Sequence, residues 1–202
     1  MKKTLLLATA LLAGVAFTAT AQHKFIDIGT AIPMSTTKME ATDGKTVTLD
    51  KAKTDKGLLV MFSCNTCPYV IKSQARTKEM MDYAAEKGIG MVVINSNEAK
   101  RDGDDSKKAM TKYAKKEKYT APYVIDNNSA VADAFGATRT PEVFLFDASG
   151  KLVYKGAMED QPTNPSESKE LFLKDAIDNM LSGKPIDPNT TKSIGCTIKR
   201  AS

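Results

Sequence analysis

Uninterrupted apolar runs of strand length constrain the fold of this chain more than any other feature of its sequence. Residues 58–62, 91–94 and 123–125 are hydrophobic throughout, without the alternation of apolar and polar side chains that marks a half-exposed strand. Such strands must be covered on both faces, as they are inside a parallel sheet enclosed by helices. The runs therefore predict an α/β fold with a buried central sheet.

The remaining segments predict helices and hairpins, in the order β-α-β-α-β, a β-hairpin and a final helix. Asp43-Gly44 predicts a short N-terminal hairpin, and Asp147-Ala148-Ser149-Gly150 predicts a second one. This order implies parallel strands with helices on both faces, extended by antiparallel strands at the edges. The helices are expected at residues 68–88, 106–118, 130–135 and 165–183.

The composition is that of an ordinary globular protein. The 202 residues are 42% hydrophobic and 26% charged, which excludes collagen-like, coiled-coil and low-complexity chains. This length suits one domain around one core, which we place at residues 22–185, followed by a tail at residues 186–202. The net charge of +5 is modest and includes Lys2 and Lys3 of a predicted leader, so nucleic-acid binding is disfavoured.

Residues 1–21 have the pattern of a secretory signal peptide. Lys2 and Lys3 precede an apolar run, residues 5–17, and the segment closes on Ala19-Thr20-Ala21. The run is shorter than the roughly 20 residues that cross a bilayer. We therefore expect cleavage before Gln22 and an exported protein, periplasmic or otherwise extracytoplasmic, without a membrane anchor.

A Cys-x-x-Cys motif, Cys64-Asn65-Thr66-Cys67, lies where the first buried strand leads into a helix. We expect Cys64 to be the more exposed cysteine and to lie at the helix N-terminus, where free N–H groups and the helix dipole stabilise a thiolate. Cys67 is then close enough to close a disulfide with it. The chemistry that follows is thiol-disulfide exchange, with Cys64 as nucleophile and Cys67 as resolving thiol.

Two other interpretations of the pair remain open. A structural disulfide is possible, although a loop of two intervening residues removes little entropy from the unfolded chain. The spacing also occurs in zinc sites, so a thiolate metal-binding module is an alternative, with Cys196 as the one further soft ligand besides His23. Cys196 itself is open to three roles: a resolving thiol, an intermolecular link or a packed, inert side chain.

The chain resembles the thioredoxin-like superfamily, and within it the redoxin branch that contains peroxiredoxins of the alkyl-hydroperoxide-reductase and thiol-specific-antioxidant type. The resemblance rests on the order of several segments and covers residues 26–199. They are the apolar run and Cys64-Asn65-Thr66-Cys67-Pro68, then Tyr123-Val124-Ile125-Asp126 with Ala134-Phe135-Gly136, then Thr140-Pro141 with the strand and hairpin after it, and the ending Ile194-Gly195-Cys196-Thr197.

The resemblance implies a three-layer α/β/α sandwich with a mixed central sheet. It also implies a cis Thr140-Pro141 peptide facing the cysteines, with the Thr140 backbone free to pair with an extended substrate segment. Arg139, just before this peptide, is either close enough to favour a thiolate or an ordinary solvated loop arginine. No bound cofactor is implied. The expected partners are a disulfide or dithiol protein substrate and a separate electron donor.

Departures from thioredoxin qualify this resemblance. Thioredoxin has Trp before its first cysteine, Gly-Pro between the pair and a buried acid six residues earlier. This chain has Ser63, Asn65-Thr66 and Leu58 at those places. General protein reduction of thioredoxin's kind is therefore less favoured.

A thiol peroxidase is the chief alternative. Peroxiredoxins place Thr three residues before the cysteine that attacks peroxide, and aligning that cysteine with Cys67 puts Cys64 where the Thr would stand. In this interpretation Cys67 attacks the peroxide and Cys64 or Cys196 resolves the sulfenic acid.

Overall fold

The computed structural model describes residues 25–201, so the predicted signal peptide at residues 1–21 and His23 lie outside the described residues. None of the helices in the described part is long and apolar enough to cross a bilayer. The strands are β1 (Met39–Ala41), β2 (Thr46–Val47), β3 (Leu58–Ser63), β4 (Gly90–Asn95), β5 (Tyr123–Ile125), β6 (Arg139–Thr140), β7 (Glu142–Phe146), β8 (Leu152–Gly156) and β9 (Cys196–Thr197). The α-helices are α1 (Leu49–Ala52), α2 (Pro68–Lys72), α3 (Gln74–Glu86), α4 (Lys107–Lys116), α5 (Ala130–Phe135) and α6 (Phe172–Leu181).

Within residues 25–201, seven strands form one mixed sheet in the order β2-β1-β5-β4-β3-β7-β8. The three predicted apolar runs form the parallel strands β3, β4 and β5. The N-terminal hairpin β1-β2 extends the sheet antiparallel to β5, and the hairpin β7-β8 extends it antiparallel to β3. The predicted mixed sheet with a hairpin at its N-terminal edge is confirmed.

Helices cover both faces of this sheet. Apolar side chains of α3, α4 and α6 pack on one face, and those of α1 and α5 pack on the other. Every residue of β3 is buried, because the strand lies between β4 and β7 and under both helical layers. The three-layer thioredoxin-like sandwich is thus confirmed, and its most enclosed strand is the one that leads into the cysteine motif.

The final helix begins later than the sequence predicts. Residues Pro165–Glu167 form a single 3₁₀ turn, and α6 starts only at Phe172. The residues between are held by tertiary hydrogen bonds: the Ser168 hydroxyl donates to Glu159, and the backbone amides of Lys169 and Glu170 donate to Asp160. These contacts fix an extended segment where the local helix signal, Pro165-Ser166, predicts the first turn.

Candidate active site

The motif cysteines, Cys64 and Cys67, lie at the carboxyl end of β3, as predicted. β3 ends at Ser63, and α2 begins at Pro68. Cys67, not Cys64, is the N-cap residue of α2, so the expectation that placed Cys64 at the helix start was wrong by three residues. Pro68 suits the first position of α2, because a backbone N–H at that position would have no hydrogen-bond partner within the helix.

The expectation that Cys64 is the more exposed cysteine was also wrong. The relative exposure is 2% for Cys64 and 4% for Cys67, so both thiols are buried. The tail provides part of this cover, since Cys196 packs against the cluster formed by the two motif cysteines and Val70. Local sequence carries no sign of this contact, because it joins segments far apart in the chain.

Thr140 contacts both motif sulfurs. The Thr140-Pro141 peptide is cis, in agreement with the prediction. The Cys64 sulfur lies 3.3 Å from the Thr140 hydroxyl oxygen, and the Cys67 thiol donates to the Thr140 carbonyl oxygen at 3.3 Å. One buried residue therefore sets the position of both thiols.

The backbone of Thr140 is already paired. Strand β9 of the tail runs antiparallel to β6, with Cys196 opposite Thr140 and Thr197 opposite Arg139. The prediction that Thr140 and Pro141 offer a free edge to an extended substrate is therefore corrected. In this structure the protein's own tail occupies that edge.

Arg139 contacts the tail. Its guanidinium donates to the carbonyl oxygen of Gly195 at 2.9 Å, a contact that neither of the two roles considered from the sequence included. Gly195 passes so close to Thr140 that a Cβ atom there would lie 2.2 Å from the Thr140 carbonyl oxygen. Glycine is therefore required at position 195 for the tail to follow this path.

The tail is also fixed beyond Cys196. Ile198 is 4% exposed and packs in the core, and its N–H donates to the Thr138 carbonyl at 3.0 Å. The Lys199 N–H donates to the Asn97 side chain at 2.8 Å. Arg200 then forms an ion pair with Asp133 at 2.7 Å. Cys196 is thus held between anchored residues on both sides.

The surroundings of the motif cysteines favour an anion on Cys67. The pKa of Cys67 is lowered, chiefly because the Cys64 thiol donates a hydrogen bond to its sulfur. Burial opposes this shift, while the Cys196 thiol and the backbone N–H groups of Val70 and Cys196 add to it.

The other two thiols favour the neutral form. The pKa of Cys64 is raised, first because its thiol is hydrogen-bonded to Cys67 and then because it is buried; the Thr140 hydroxyl acts in the opposite sense. The pKa of Cys196 is raised by burial and by its neighbour Cys67. These shifts favour a state with an anionic sulfur on Cys67 beside two neutral thiols.

A buried carboxylate that the sequence analysis missed supports the cysteine loop. Asp105, which has no exposed surface, accepts the Asn65 N–H at 2.9 Å and the side-chain amides of Asn95 and Asn97. The Asn65 side chain donates to the Asp104 carbonyl oxygen at 2.7 Å. The sequence signal was present but ambiguous, because acids before α4 are also what a helix N-terminus attracts.

The three cysteines border one small pocket of about 210 Å³, which we call the thiol pocket. Its lining includes two positive side chains, Lys100 and Lys199. The remaining lining residues are Thr66, Pro68, Asn97 and Thr197. Among residues 25–201, the structure holds no group of three or more His, Cys, Asp or Glu side chains arranged to bind a metal ion.

The chain is similar to one protein family and to several solved structures. The family model described as Redoxin matches residues 27–171, more than half of the chain. An uncharacterised conserved protein from Geobacillus kaustophilus is 32% identical, with a TM-score of 0.78 over 87% of this chain and 93% of that one. A hypothetical protein from Sinorhizobium meliloti 1021 is 33% identical, with a TM-score of 0.77 over 89% and 97%.

A third solved structure shares the fold at lower identity. It is described as a putative protein disulfide isomerase from Bacteroides thetaiotaomicron and is 21% identical, with a TM-score of 0.57 over 78% of this chain and 91% of that one. No curated protein matches the chain significantly in sequence.

Proposed function

Because the chain belongs to the redoxin family, a family of thiol oxidoreductases, we propose that it is an exported thiol-disulfide oxidoreductase that cycles Cys64 and Cys67 between a dithiol and a disulfide. One observation carries the proposal: both sulfurs contact Thr140, the residue before the cis proline, and the two side chains pack in one buried cluster. Two thiols in mutual contact at the end of a rigid, buried strand need little rearrangement to form a disulfide.

The proposed exchange begins at Cys67. Its thiolate attacks one sulfur of a partner disulfide, the partner's S–S bond breaks, and the partner's second sulfur leaves as a thiolate that takes up a proton. Cys64 then loses its proton and attacks the Cys67 sulfur, which closes the Cys64–Cys67 disulfide and releases the partner's first thiol. The reverse sequence oxidises a partner dithiol. These roles are the opposite of those predicted from the sequence, because Cys67 has the N-cap position and the lowered pKa.

The proposed partners are a disulfide or dithiol protein and a separate electron donor, and no bound cofactor is required. Export to the periplasm or another extracytoplasmic space is supported by the sequence of residues 1–21 alone. An oxidising compartment suits the proposal, since there a close cysteine pair can persist as a disulfide.

Substitution of the motif cysteines tests this function. We expect Cys64→Ser and Cys67→Ser each to abolish turnover with a protein disulfide such as insulin, because each removes one sulfur of the cycle. Cys64→Ser combined with Cys196→Ser, which leaves no second thiol beside Cys67, should instead accumulate a mixed disulfide through Cys67. Ile71→Ala, at an exposed position of α2 outside the thiol pocket, serves as the matched control and should retain turnover. Full turnover in either serine variant would refute the proposal.

A thiol peroxidase is the second candidate, and a specific observation favours it. The thiolate-favouring Cys67 borders a pocket of about 210 Å³, which suits a small oxidant better than an extended peptide. Peroxide would then convert Cys67 to a sulfenic acid that a neighbouring thiol resolves. Hydrogen peroxide consumption by Cys64→Ser at the parental rate, together with no exchange activity in the parent, would establish this function in place of the first.

A further inference from the structure

Cys196 is the most accessible of the three thiols. It is partly exposed, whereas Cys64 and Cys67 are 2% and 4% exposed. Its side chain contacts Cys67, and it packs on the cluster that contains both motif cysteines. With the tail in place, the sulfur of Cys196 is therefore the most accessible of the three to a large partner.

The tail also lies where an incoming substrate strand would have to lie. Strand β9 pairs with β6 immediately before the cis proline, and Gly195 is in close contact with the Thr140 backbone. The anchors at Arg139 and Ile198 hold this strand in place. A partner segment cannot pair with β6 unless the tail first leaves, whereas a partner can reach Cys196 with the tail in place.

We propose that Cys196 completes an intramolecular disulfide relay, passing oxidising equivalents between the buried pair and partner thiols at the surface. The relay rests on the proposed function, because it requires a disulfide between Cys64 and Cys67. The class of partner it implies is a protein or small-molecule dithiol that engages Cys196 from solvent.

The relay conserves electrons at each step. In the oxidised protein the Cys196 thiolate attacks the Cys67 sulfur; the Cys64–Cys67 bond breaks, the Cys67–Cys196 bond forms, and Cys64 leaves as a thiolate that takes up a proton. A thiolate of the partner dithiol then attacks Cys196 and releases Cys67. The partner's second thiolate attacks its own bonded sulfur and releases Cys196. The partner is oxidised to a disulfide, and all three cysteines are left reduced.

Cys67, rather than Cys64, is the relay's acceptor because its sulfur lies 3.3 Å from the Thr140 carbonyl oxygen, the atom on which Gly195 of the tail packs, and Cys196 packs on the cluster that contains Cys67. The negative charge on reduced Cys67 contributes to the raised pKa of Cys196. That charge is absent while Cys67 is part of a disulfide. The tail thiol therefore becomes easier to ionise in the oxidised protein, which is the state in which the relay needs it as a nucleophile.

Disulfide mapping of two serine variants tests the relay. The full chain is oxidised with diamide, blocked with N-ethylmaleimide and digested with trypsin, which places the motif in residues 57–72 and Cys196 in residues 193–199. We expect Cys64→Ser to give the linked pair of peptides through Cys67. Cys67→Ser should lose this link, because Cys64 contacts the Thr140 hydroxyl and not the carbonyl oxygen on which the tail packs. A missing link in Cys64→Ser, or equal links in both variants, would overturn the relay.

Variants in the tail supply a second test. When Gly195→Ala is added to Cys64→Ser, the new methyl group displaces the tail, so we expect loss of the Cys67–Cys196 link and faster modification of Cys67 by a bulky disulfide reagent. Ile194→Ala, an exposed neighbour, is the control and should retain the link. An unchanged link in Gly195→Ala would contradict the placement of Cys196.

The parent protein separates failure of the relay from failure of the proposed function. If the Cys64–Cys67 disulfide forms in the parent but Cys64→Ser gives no tail link, the relay alone is wrong. If the parent forms no Cys64–Cys67 disulfide under the same oxidation, the proposed function fails first.

Discussion

The sulfur of Cys67 lies 3.3 Å from the carbonyl oxygen of Thr140, a residue 73 positions further along the chain. Thr140 also places its hydroxyl beside Cys64 and pairs, through its backbone strand, with Cys196. Three segments that are distant in sequence therefore meet at one buried threonine. This convergence brings the three thiols together and also limits access to two of them.

The ionisation of Cys67 should depend on the thiol of Cys64. Cys64→Ala removes the hydrogen-bond donor that most lowers the pKa of Cys67, so we expect that pKa to rise. Cys64→Ser keeps a donor at the same place and should raise it less. The pH dependence of iodoacetamide alkylation at Cys67, followed by mass spectrometry, measures both values, with Ile71→Ala, an exposed position outside the thiol pocket, as control. Identical profiles in all four proteins would show that Cys64 does not stabilise the anion.

The same shift makes stability depend on pH. A thiol with a lowered pKa in the folded state stabilises the fold at pH values above its unfolded pKa, and this contribution is lost as the pH falls through the folded pKa. The ordinary value for the Cys67 thiol is 9.0. The difference in unfolding free energy between the reduced parent and Cys67→Ser should therefore grow as the pH rises toward that value. Urea unfolding at several pH values measures it, and a difference that is flat below pH 9 would contradict the lowered pKa.

Asp105 should be required to hold the cysteine loop. Asp105→Ala leaves the Asn65 N–H and two side-chain amides without their acceptor, which costs about 1–3 kcal/mol for each unpaired buried group. We expect lower stability in urea unfolding together with altered alkylation of Cys67. Asp104→Ala is the control, because Asp104 is exposed and contributes only its backbone carbonyl. Equal stability of the two variants would rule out the buried network as a support for the loop.

A cluster of four phenylalanines, on the face of the sheet that α1 and α5 cover, should contribute strongly to the stability of the protein. Phe135 has no exposed surface and makes edge contacts with Phe62, Phe144 and Phe146 at centroid distances of 5.2–5.8 Å. Phe135→Ala is expected to cost about 3–5 kcal/mol of unfolding free energy. Leu181→Ala, at an exposed position at the end of α6, should cost far less. Similar losses in the two variants would mean that the cluster is not well packed.

The strands were predictable because their signal is local. Residues 58–62, 91–94 and 123–125 lie inside β3, β4 and β5, since an unbroken apolar run has a stable place only under cover on both faces. The start of α6 was not predictable in the same way. There the hydrogen bonds to Glu159 and Asp160, which are tertiary contacts, replaced the first turn that Pro165-Ser166 predicts.

The sequence indicated which residues form the candidate site, but not that the two motif thiols are buried. The spacing of Cys64 and Cys67 and the resemblance at Thr140-Pro141 indicated which groups meet. The burial of both thiols depends in part on the path of the tail, which is set by the close contact of Gly195 with Thr140. An extended tail can reach many places, so the sequence left the partner of Cys196 open.

The redox equilibrium of the motif cysteines tests the central claim most directly. Cys196→Ser removes the third thiol, and the protein is equilibrated in mixtures of reduced and oxidised dithiothreitol before acid quenching and alkylation. We expect Cys64 and Cys67 to convert together, in one reversible two-electron transition, to an intramolecular disulfide found in residues 57–72. Thiols that stay reduced across the range, or that oxidise only between molecules, would contradict a redox role for the pair.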